Sequence, residues 1–284
     1  MNVFPLYRWW KAHEIERIWP ETMLKAREPY CVSACSRFKE MNFAEDHAWV
    51  LSSEGQSVTA ILLHSKGALY PVFGNKTELY IPPFMYRFFK NIDINILQGL
   101  ERDTDTLEGL LAEAGIFAEE RRDYNLMAQE AGADIETPYI PKWLTIRPAR
   151  FSDLDELTIL QEGYHREEVL RNPADYNPII CRLGLIKVIE EAKTAVAIAD
   201  GVIVGKINTS AFAFNRYQLG GVYVLPEYRG RGIARAMTAV LTNALLSEGM
   251  GVSLYVKKTN FAAEHVYRRC GFSKLADYRI VYMQ

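Results

Sequence analysis

The sequence contains no long hydrophobic run: no uninterrupted apolar stretch reaches the ~18 residues that a membrane-spanning helix needs. Near its start Arg8, Lys11, His13 and Glu14 are scattered among aromatics, where a secretory signal is continuously apolar, so a cytoplasmic protein is expected. Charge of one sign is missing as well. Lys and Arg number 33 against 35 Asp and Glu, a formal net charge of -2, which excludes a general attraction to nucleic acid or to an anionic membrane. Cysteine is scarce: Cys31, Cys35, Cys181 and Cys270 are too few and too dispersed for a disulfide framework. Cys31 and Cys35 stand four apart, which on a helix puts both on one face. No His or Cys at ligand spacing accompanies them, so buried structural thiols are expected, and no metal site. What is present is ordinary for a packed globular chain. The 284 residues are 49% hydrophobic and 24% charged, and the length fits two domains or one large one.

Composition changes near residues 128–142. The stretch 128–134 is small and polar, Pro138 and Pro141 follow, and the whole reads as a linker. Beyond it Leu144, Thr145 and Ile146 form a short strand stopped at Pro148. Ser152 is placed to cap a helix that carries Leu154, Leu157 and Leu160 at helical spacing. An alternating run over 194–199, then Asp200-Gly201, then Val202-Ile203-Val204 predicts a hairpin, because Gly accepts the positive φ of the turn. Strands over 206–214 and 219–224, a helix over 233–247, a strand over 252–256, a helix over 261–269 and a strand over 278–283 complete this half. Antiparallel hairpins that lead into strand–helix–strand–helix–strand make a mixed α/β sheet.

The chemistry concentrates where the strand ending in Val222, Tyr223 and Val224 meets Pro226, a two-glycine loop and a helix. Ile233, Met237, Val240, Leu241, Ala244 and Leu245 share one stripe of that helix, so the loop sits at its N-terminus. Free backbone N–H groups and the helix dipole favour an anion there. Gly230 and Gly232 leave the backbone bare, and Arg229, Arg231 and Arg235 add positive charge. The physical reading is a phosphate cradle. An arginine-rich helix start facing solvent reads the same way at this point. The third glycine of a dinucleotide fingerprint and the Gly-Lys-Ser/Thr of a nucleotide loop are both absent. A second pattern lies downstream: Asn260, then Ala263, Tyr267, Gly271 and Phe272, with Ala263, Val266, Tyr267 and Cys270 on one helix face.

Arg229, Gly232 and Ala234 after a Val-rich strand, followed by the Asn260–Phe272 pattern, closely resemble the two signatures of the GNAT superfamily of acyl-CoA N-acyltransferases. The resemblance covers roughly half the chain, from about Thr145 onward. It implies the GNAT fold, acetyl-CoA as co-substrate without a metal, and transfer of an acetyl group to a primary amine, small-molecule or peptide. Val222, Tyr223 and Val224 would then pair through their backbone with the pantetheine arm, which enters between two splayed strands. The amides of Arg229, Gly230, Arg231, Gly232, Ile233 and Ala234 would hold the pyrophosphate. Asn260 would contact the pantetheine arm or order its loop, and Tyr267 would be the general acid for the departing thiolate. The general base is not visible. Many family members carry a carboxylate late on the strand before the loop, where this chain has Gln218, Leu219, Gly220 and Gly221. Glu162, His165, Glu167 and Glu168 fall in the region that lines the acceptor groove in the family, but such a charged run also suits a solvated face.

The first half resembles a worn copy of the second. Ala114-Gly115-Ile116 leads through Asp123-Tyr124-Asn125 to Met127, as Cys270-Gly271-Phe272 leads through Asp277-Tyr278-Arg279 to Met283. Before the first copy lie a β-run (69–73), a helix (82–90), a strand (92–97) and a helix (106–113), the order seen in the second half. The stretch in place of the cradle, 74–78, has one glycine and no arginine. Two GNAT-like domains in tandem are expected: residues 1–135 without a CoA site, and residues 143–284 with one. A regulatory module that binds acyl-CoA without turnover, and a Fem-like aminoacyl transferase, are the competing expectations. Gln218 favours the first of these, and the CoA-type loop and acidic balance oppose the second.

Overall fold

A computed structural model describes residues 7–53, 57–74, 79–133 and 139–284. Residues 75–78 of the stretch replacing the cradle, and Asp134 and Pro138 of the expected linker, lie outside the described residues. One chain order occurs twice. The first passage is β1 (Arg8–Lys11), α1 (Ile18–Arg27), α2 (Val32–Glu40), β2 (His47–Ser52), β3 (Val58–Ser65), β4 (Ala68–Phe73), α3 (Pro83–Phe89), β5 (Ile96–Leu100), α4 (Glu101–Glu113) and β6 (Ala118–Gln129). The second is β7 (Leu144–Pro148), α5 (Leu154–Tyr164), α6 (Pro178–Glu191), β8 (Thr194–Ala199), β9 (Val202–Phe212), β10 (Arg216–Val224), α7 (Ile233–Ser247), β11 (Gly251–Lys257), α8 (Phe261–Arg269) and β12 (Ser273–Met283).

The compact units do not follow that order to its end. One consists of Met1–Leu126, Val256–Thr259 and Lys274–Gln284, the other of Met127–Tyr255 and Asn260–Ser273. The sequence reading kept 143–284 together, whereas the last strand packs with the first half. In the first unit β1 to β4 pair antiparallel in succession, and β4 pairs parallel with β5 at Ala68↔Ile96 and Leu69↔Leu97. On the other side of β5 lies β12, antiparallel from Tyr278↔Leu100 to Tyr282↔Ile96. Val281 and Met283 join Leu62, Leu69, Phe89, Leu97 and Leu107 in one core cluster, and their burial is the hydrophobic reason the strand docks there. Charge fixes its register. Arg279 pairs with Glu101 at 2.7 Å, with Asp123 at 2.6 Å and with Asp105, while Lys258 bridges Glu101 and Asp277.

In the second unit β7, β8, β9 and β10 pair antiparallel in succession, and β10 pairs parallel with β11. The β8–β9 hairpin turns on Asp200 and Gly201, both at positive φ. Leu154, Leu157 and Leu160 of α5 bury against Val196, Ile203 and Tyr223. Gly163 lets the last of these rings approach, because a Cβ there would lie 2.5 Å from the Tyr223 ring carbon Cζ. Several boundaries differ from the sequence reading. Ala128 and Gln129 continue β6 rather than open a linker, and residues 202–212 form one strand instead of two. Ser152 does not cap α5: a short 3-10 turn precedes the helix, and Asp153 accepts from the Arg150 amide at 2.7 Å while pairing with Arg147. Asp153 is itself the residue before α5, and with its carboxylate held by Arg147 and the Arg150 amide no side chain caps the helix.

Candidate active site

The pairing of β10 with β11 runs from Arg216↔Gly251 to Leu219↔Leu254 and stops, although β10 continues to Val224 and β11 to Lys257. Register shifts against β9 fall between Gln218 and Leu219 and between Gly220 and Tyr223. Such bulges bend a strand and re-aim its edge. Gly221, at φ +61°, is the residue the bend requires. The two parallel strands therefore part, and the edge of Gly220 to Val224 that faces away from β9 is left for another partner. Val222 is partly buried in this segment, and Tyr223 and Val224 are buried.

At the end of β10 the chain makes a 3-10 turn at Pro226–Tyr228 and reaches α7 through Gly230 (φ +76°) and Gly232 (φ +80°). Gly232 is the N-cap of α7; no side chain caps this helix and its first turn carries no acid. A Cβ at either glycine would meet nothing within 4 Å, so the space in front of the loop is open. The Arg229 amide is already taken by the Pro226 carbonyl at 3.2 Å. Among the described residues the amides of Gly230, Arg231 and Gly232 have no partner, and those of Ile233 and Ala234 open the helix. Ile233 is buried and anchors this end of α7 in the core. Arg229 itself folds back on the protein: its guanidinium donates to the Val224 carbonyl at 3.0 Å, pairs with Glu167 at 2.9 Å and lies over the Tyr223 ring. Arg231 donates to the Glu227 carbonyl at 3.2 Å. The arginines shape the loop, and its bare amides form the anion seat.

On the far side of the opening α8 begins at Asn260, whose Oδ1 accepts from the Ala263 amide at 3.0 Å and whose Nδ2 lies 3.4 Å from Glu168. About two turns further, Tyr267 is 8% exposed and packs edge-on against Phe272. Its hydroxyl has no hydrogen-bond partner among the described residues. Burial first, and then Tyr164 and Glu168, push its proton affinity far above the ordinary tyrosine range, so it is neutral and a donor throughout physiological pH.

The candidate bases read from the sequence divide. Glu162 pairs with Arg166 at 2.8 Å. Burial raises the Glu167 carboxyl, but hydrogen bonds from Arg229 and Tyr223 outweigh it and hold the group below the usual range. The Tyr223 hydroxyl is pushed up to about 12, by burial and then by that same carboxylate. His165, in a π-helical turn at the end of α5, contacts Gln161 at 2.9 Å; burial and then Lys206 lower its pKa below the ordinary histidine value.

Lys206 is the group the sequence reading missed. It sits in mid-β9, is 1% exposed, and donates to the Gly221 carbonyl at 2.9 Å and to Asn208 Oδ1 at 3.3 Å. Burial lowers its pKa to about 7. The signal was one charged residue inside the apolar run from Val202 to Ile207. Since the unfolded value is about 10.4, the unfolded chain binds the extra proton between pH 7 and about 10. Stability should therefore rise with pH across that window, on the order of 1 kcal/mol per pH unit, and Lys206→Met should flatten the slope. Urea melts of both proteins at stepped pH measure this; parallel slopes contradict it.

The thiols do not form a centre. Cys31 and Cys35 are buried with sulfurs 3.6 Å apart, and the hydrogen bond between them and then burial push Cys35 well above the thiol range. Among the described residues no three His, Cys, Asp or Glu side chains group as a metal site, and no helix is long and apolar enough to cross a membrane.

Comparison with known proteins adds a family. Residues 154–272 match the model of the acetyltransferase (GNAT) family. The mycothiol acetyltransferase of Streptomyces bingchenggensis is 32% identical over 170 residues, 56% of this chain and 52% of that protein. Its Streptomyces griseus namesake is 42% identical over 78 residues, 26% of this chain and 25% of that protein. The chain thus spans between a quarter and about half of these relatives' length. Among solved structures, a GCN5-related N-acetyltransferase from Sphaerobacter thermophilus superimposes with a TM-score of 0.60 at 14% identity, covering 98% of this chain and 95% of that one. A tandem GNAT protein from the clavulanic acid biosynthesis pathway gives 0.58 at 13% identity over 98% of both chains. Residues 154–272 are a domain of the GNAT acetyltransferase family, carried in a chain with the tandem GNAT fold.

Proposed function

We propose that the chain transfers an acetyl group from acetyl-CoA to a primary amine. The observation that carries this is the run of unpartnered amides from Gly230 into α7, placed at the end of a strand that has parted from its parallel neighbour. An anion held there directs the rest of its molecule along the free edge of Gly220 to Val224, toward Tyr267. The amine attacks the thioester carbon, the N–C bond forms as the C–S bond breaks, and Tyr267 offers its proton to the thiolate. That thiolate forms beside the buried Tyr267, where desolvation raises its proton affinity too. Asn260 positions α8, and with it Tyr267, by capping the helix. The name shared by the two relatives favours a small-molecule amine as acceptor over a protein chain.

The seat is proposed for the second unit alone. In the first, β4 also parts from β5 after two residue pairs, but the chain fills the place itself. Asp103, 1% exposed, accepts from the Phe73 amide at 3.0 Å, and Arg102 donates to the Phe73 carbonyl at 3.1 Å. A strand edge already satisfied by an internal carboxylate and guanidinium offers a pantetheine arm nothing. Titration with acetyl-CoA is expected to give one site per chain. Melting temperature should climb with ligand, reflecting about 2.7 kcal/mol at a hundred times Kd. Two sites per chain would overturn the division between units, and no binding at millimolar acetyl-CoA would overturn the reading itself. Binding without acylation of any amine in a broad panel leaves an acyl-CoA-binding module.

A further inference from the structure

A strand that reads Val-Ile-Val-Gly-Lys-Ile-Asn has no packing reason to hold a lysine at its centre. Methionine fills nearly the same volume without an amine to desolvate, and unpaired burial of an ammonium is costly. Among the described residues Lys206 forms no ion pair. The groups that face it are Tyr164 and His165 from α5, Cys181 from α6, Asn208 on its own strand, and Gly221 and Tyr223 on β10. Of these the Cys181 thiol acts electrostatically on the amine, and it is buried.

The surroundings suit both charge states of the amine. A neutral amine has two N–H bonds, and two acceptors are in place: the Gly221 carbonyl at 2.9 Å and Asn208 Oδ1 at 3.3 Å. The third N–H of an ammonium would meet the face of the Tyr164 ring, whose centroid is 4.9 Å from Nζ. The space is kept by a backbone feature, because a Cβ on Gly221 would lie 2.8 Å from Nζ. Gly221 is also the bulge residue of β10, beyond the last pair with β11, and its backbone acts electrostatically on the Tyr164 hydroxyl. Tyr164 in turn acts electrostatically on Tyr267, as does Glu168. Lys206 thus lies directly behind the part of β10 that borders the opening.

We propose that Lys206 takes up the ammonium proton of the acceptor, standing in for the carboxylate that the strand lacks at Gln218 to Gly221. This rests on the acetyl-transfer reading. The acceptor R–NH3+ gives one proton to neutral Lys206, through water in the opening, and becomes R–NH2. The amine nitrogen attacks the thioester carbon, the C–S bond breaks, Tyr267 supplies a proton to sulfur, and the second proton leaving nitrogen restores the Tyr267 hydroxyl. Lys206 returns its proton to solvent after product leaves. The sum is R–NH3+ and acetyl-CoA giving the amide, CoA thiol and one proton. Lys206 acts at one remove and touches no reacting atom. A lysine with a pKa near 7 is half in the accepting form at neutral pH.

The test compares wild type, Lys206→Met, Lys206→Arg and His165→Gln in kcat/KM against pH, with saturating acetyl-CoA and the best alkylamine of a broad panel. Wild type and His165→Gln should lose activity below a midpoint near pH 7. Lys206→Met and Lys206→Arg should lose that limb and about 100-fold in rate at neutral pH, a typical general-base contribution, with the Kd for acetyl-CoA unchanged. Nitrogen-15 titration of the Lys206 amine in the wild-type protein should give a midpoint near 7, a readout that needs no variant to fold. An intact limb in Lys206→Met, loss of the limb in His165→Gln, or a midpoint above about 9 would overturn the proposal while acetyl transfer stands. A wild type that acetylates no amine overturns both.

Discussion

Valine at position 232 is expected to weaken CoA binding by about 100-fold or more, on the order of 2.7 kcal/mol. Two effects add. The backbone there sits at φ +80°, where a β-branched residue costs about 1–3 kcal/mol. The new side chain also projects into open space in front of amides that have no partner within the protein. A second glycine separates strain from obstruction. Gly249, just past the other end of α7, has φ +77° and an equally open Cβ direction. Gly249→Val should therefore lower the melting temperature about as much as Gly232→Val while leaving CoA affinity intact. Gly232→Asn, which tolerates left-handed backbone, should fold well and still bind poorly. Equal affinity loss at 232 and 249, or none at either, would show that the loop does not hold phosphate.

The loop was legible in the sequence because its determinants are local. Two glycines, a proline and an apolar stripe beginning at Ile233 define a bare helix start wherever the rest of the chain goes. The Asp200-Gly201 turn was legible for the same reason. What the sequence did not reveal depends on long-range partners. Alternation marks β12 as a strand but does not say that β5 is its neighbour; that choice depends on Val281 entering the first unit's core and on Arg279 finding Glu101, Asp105 and Asp123. Arg229 reads as free positive charge until the chain brings Glu167 and the Val224 carbonyl to it. Lys206 looks like one more charge on a strand until α5 and α6 close over it. Helix α6 escaped notice because it is apolar nearly all round, with Ile179, Ile180 and Leu183 exposed, and so has no stripe to find.

Tyr267→Phe is expected to cut turnover by about 100-fold or more while changing the Kd for acetyl-CoA little, since proton transfer by a placed side chain typically supplies that much. The substitution removes one oxygen that has no hydrogen-bond partner among the described residues, so no donor or acceptor inside the protein is left unsatisfied. The ring keeps its edge-on contact with Phe272 and its burial beneath α8. Folding stability should therefore be unchanged or slightly higher, which makes lost activity a statement about chemistry rather than about packing. A loss confined to kcat, with kcat/KM falling in step, identifies an interaction made only in the transition state. The pH profile separates the two proton roles: Tyr267→Phe should keep the acid limb near pH 7 assigned to Lys206, at a uniformly lower rate, because its own proton leaves far above that range. A thioester with a more acidic leaving thiol needs less help from a donor, so acetyl thioesters of CoA analogues with lowered thiol pKa should recover part of the loss. If the phenylalanine variant turns over the preferred amine near the wild-type rate, the hydroxyl is idle and the departing thiolate takes its proton from water.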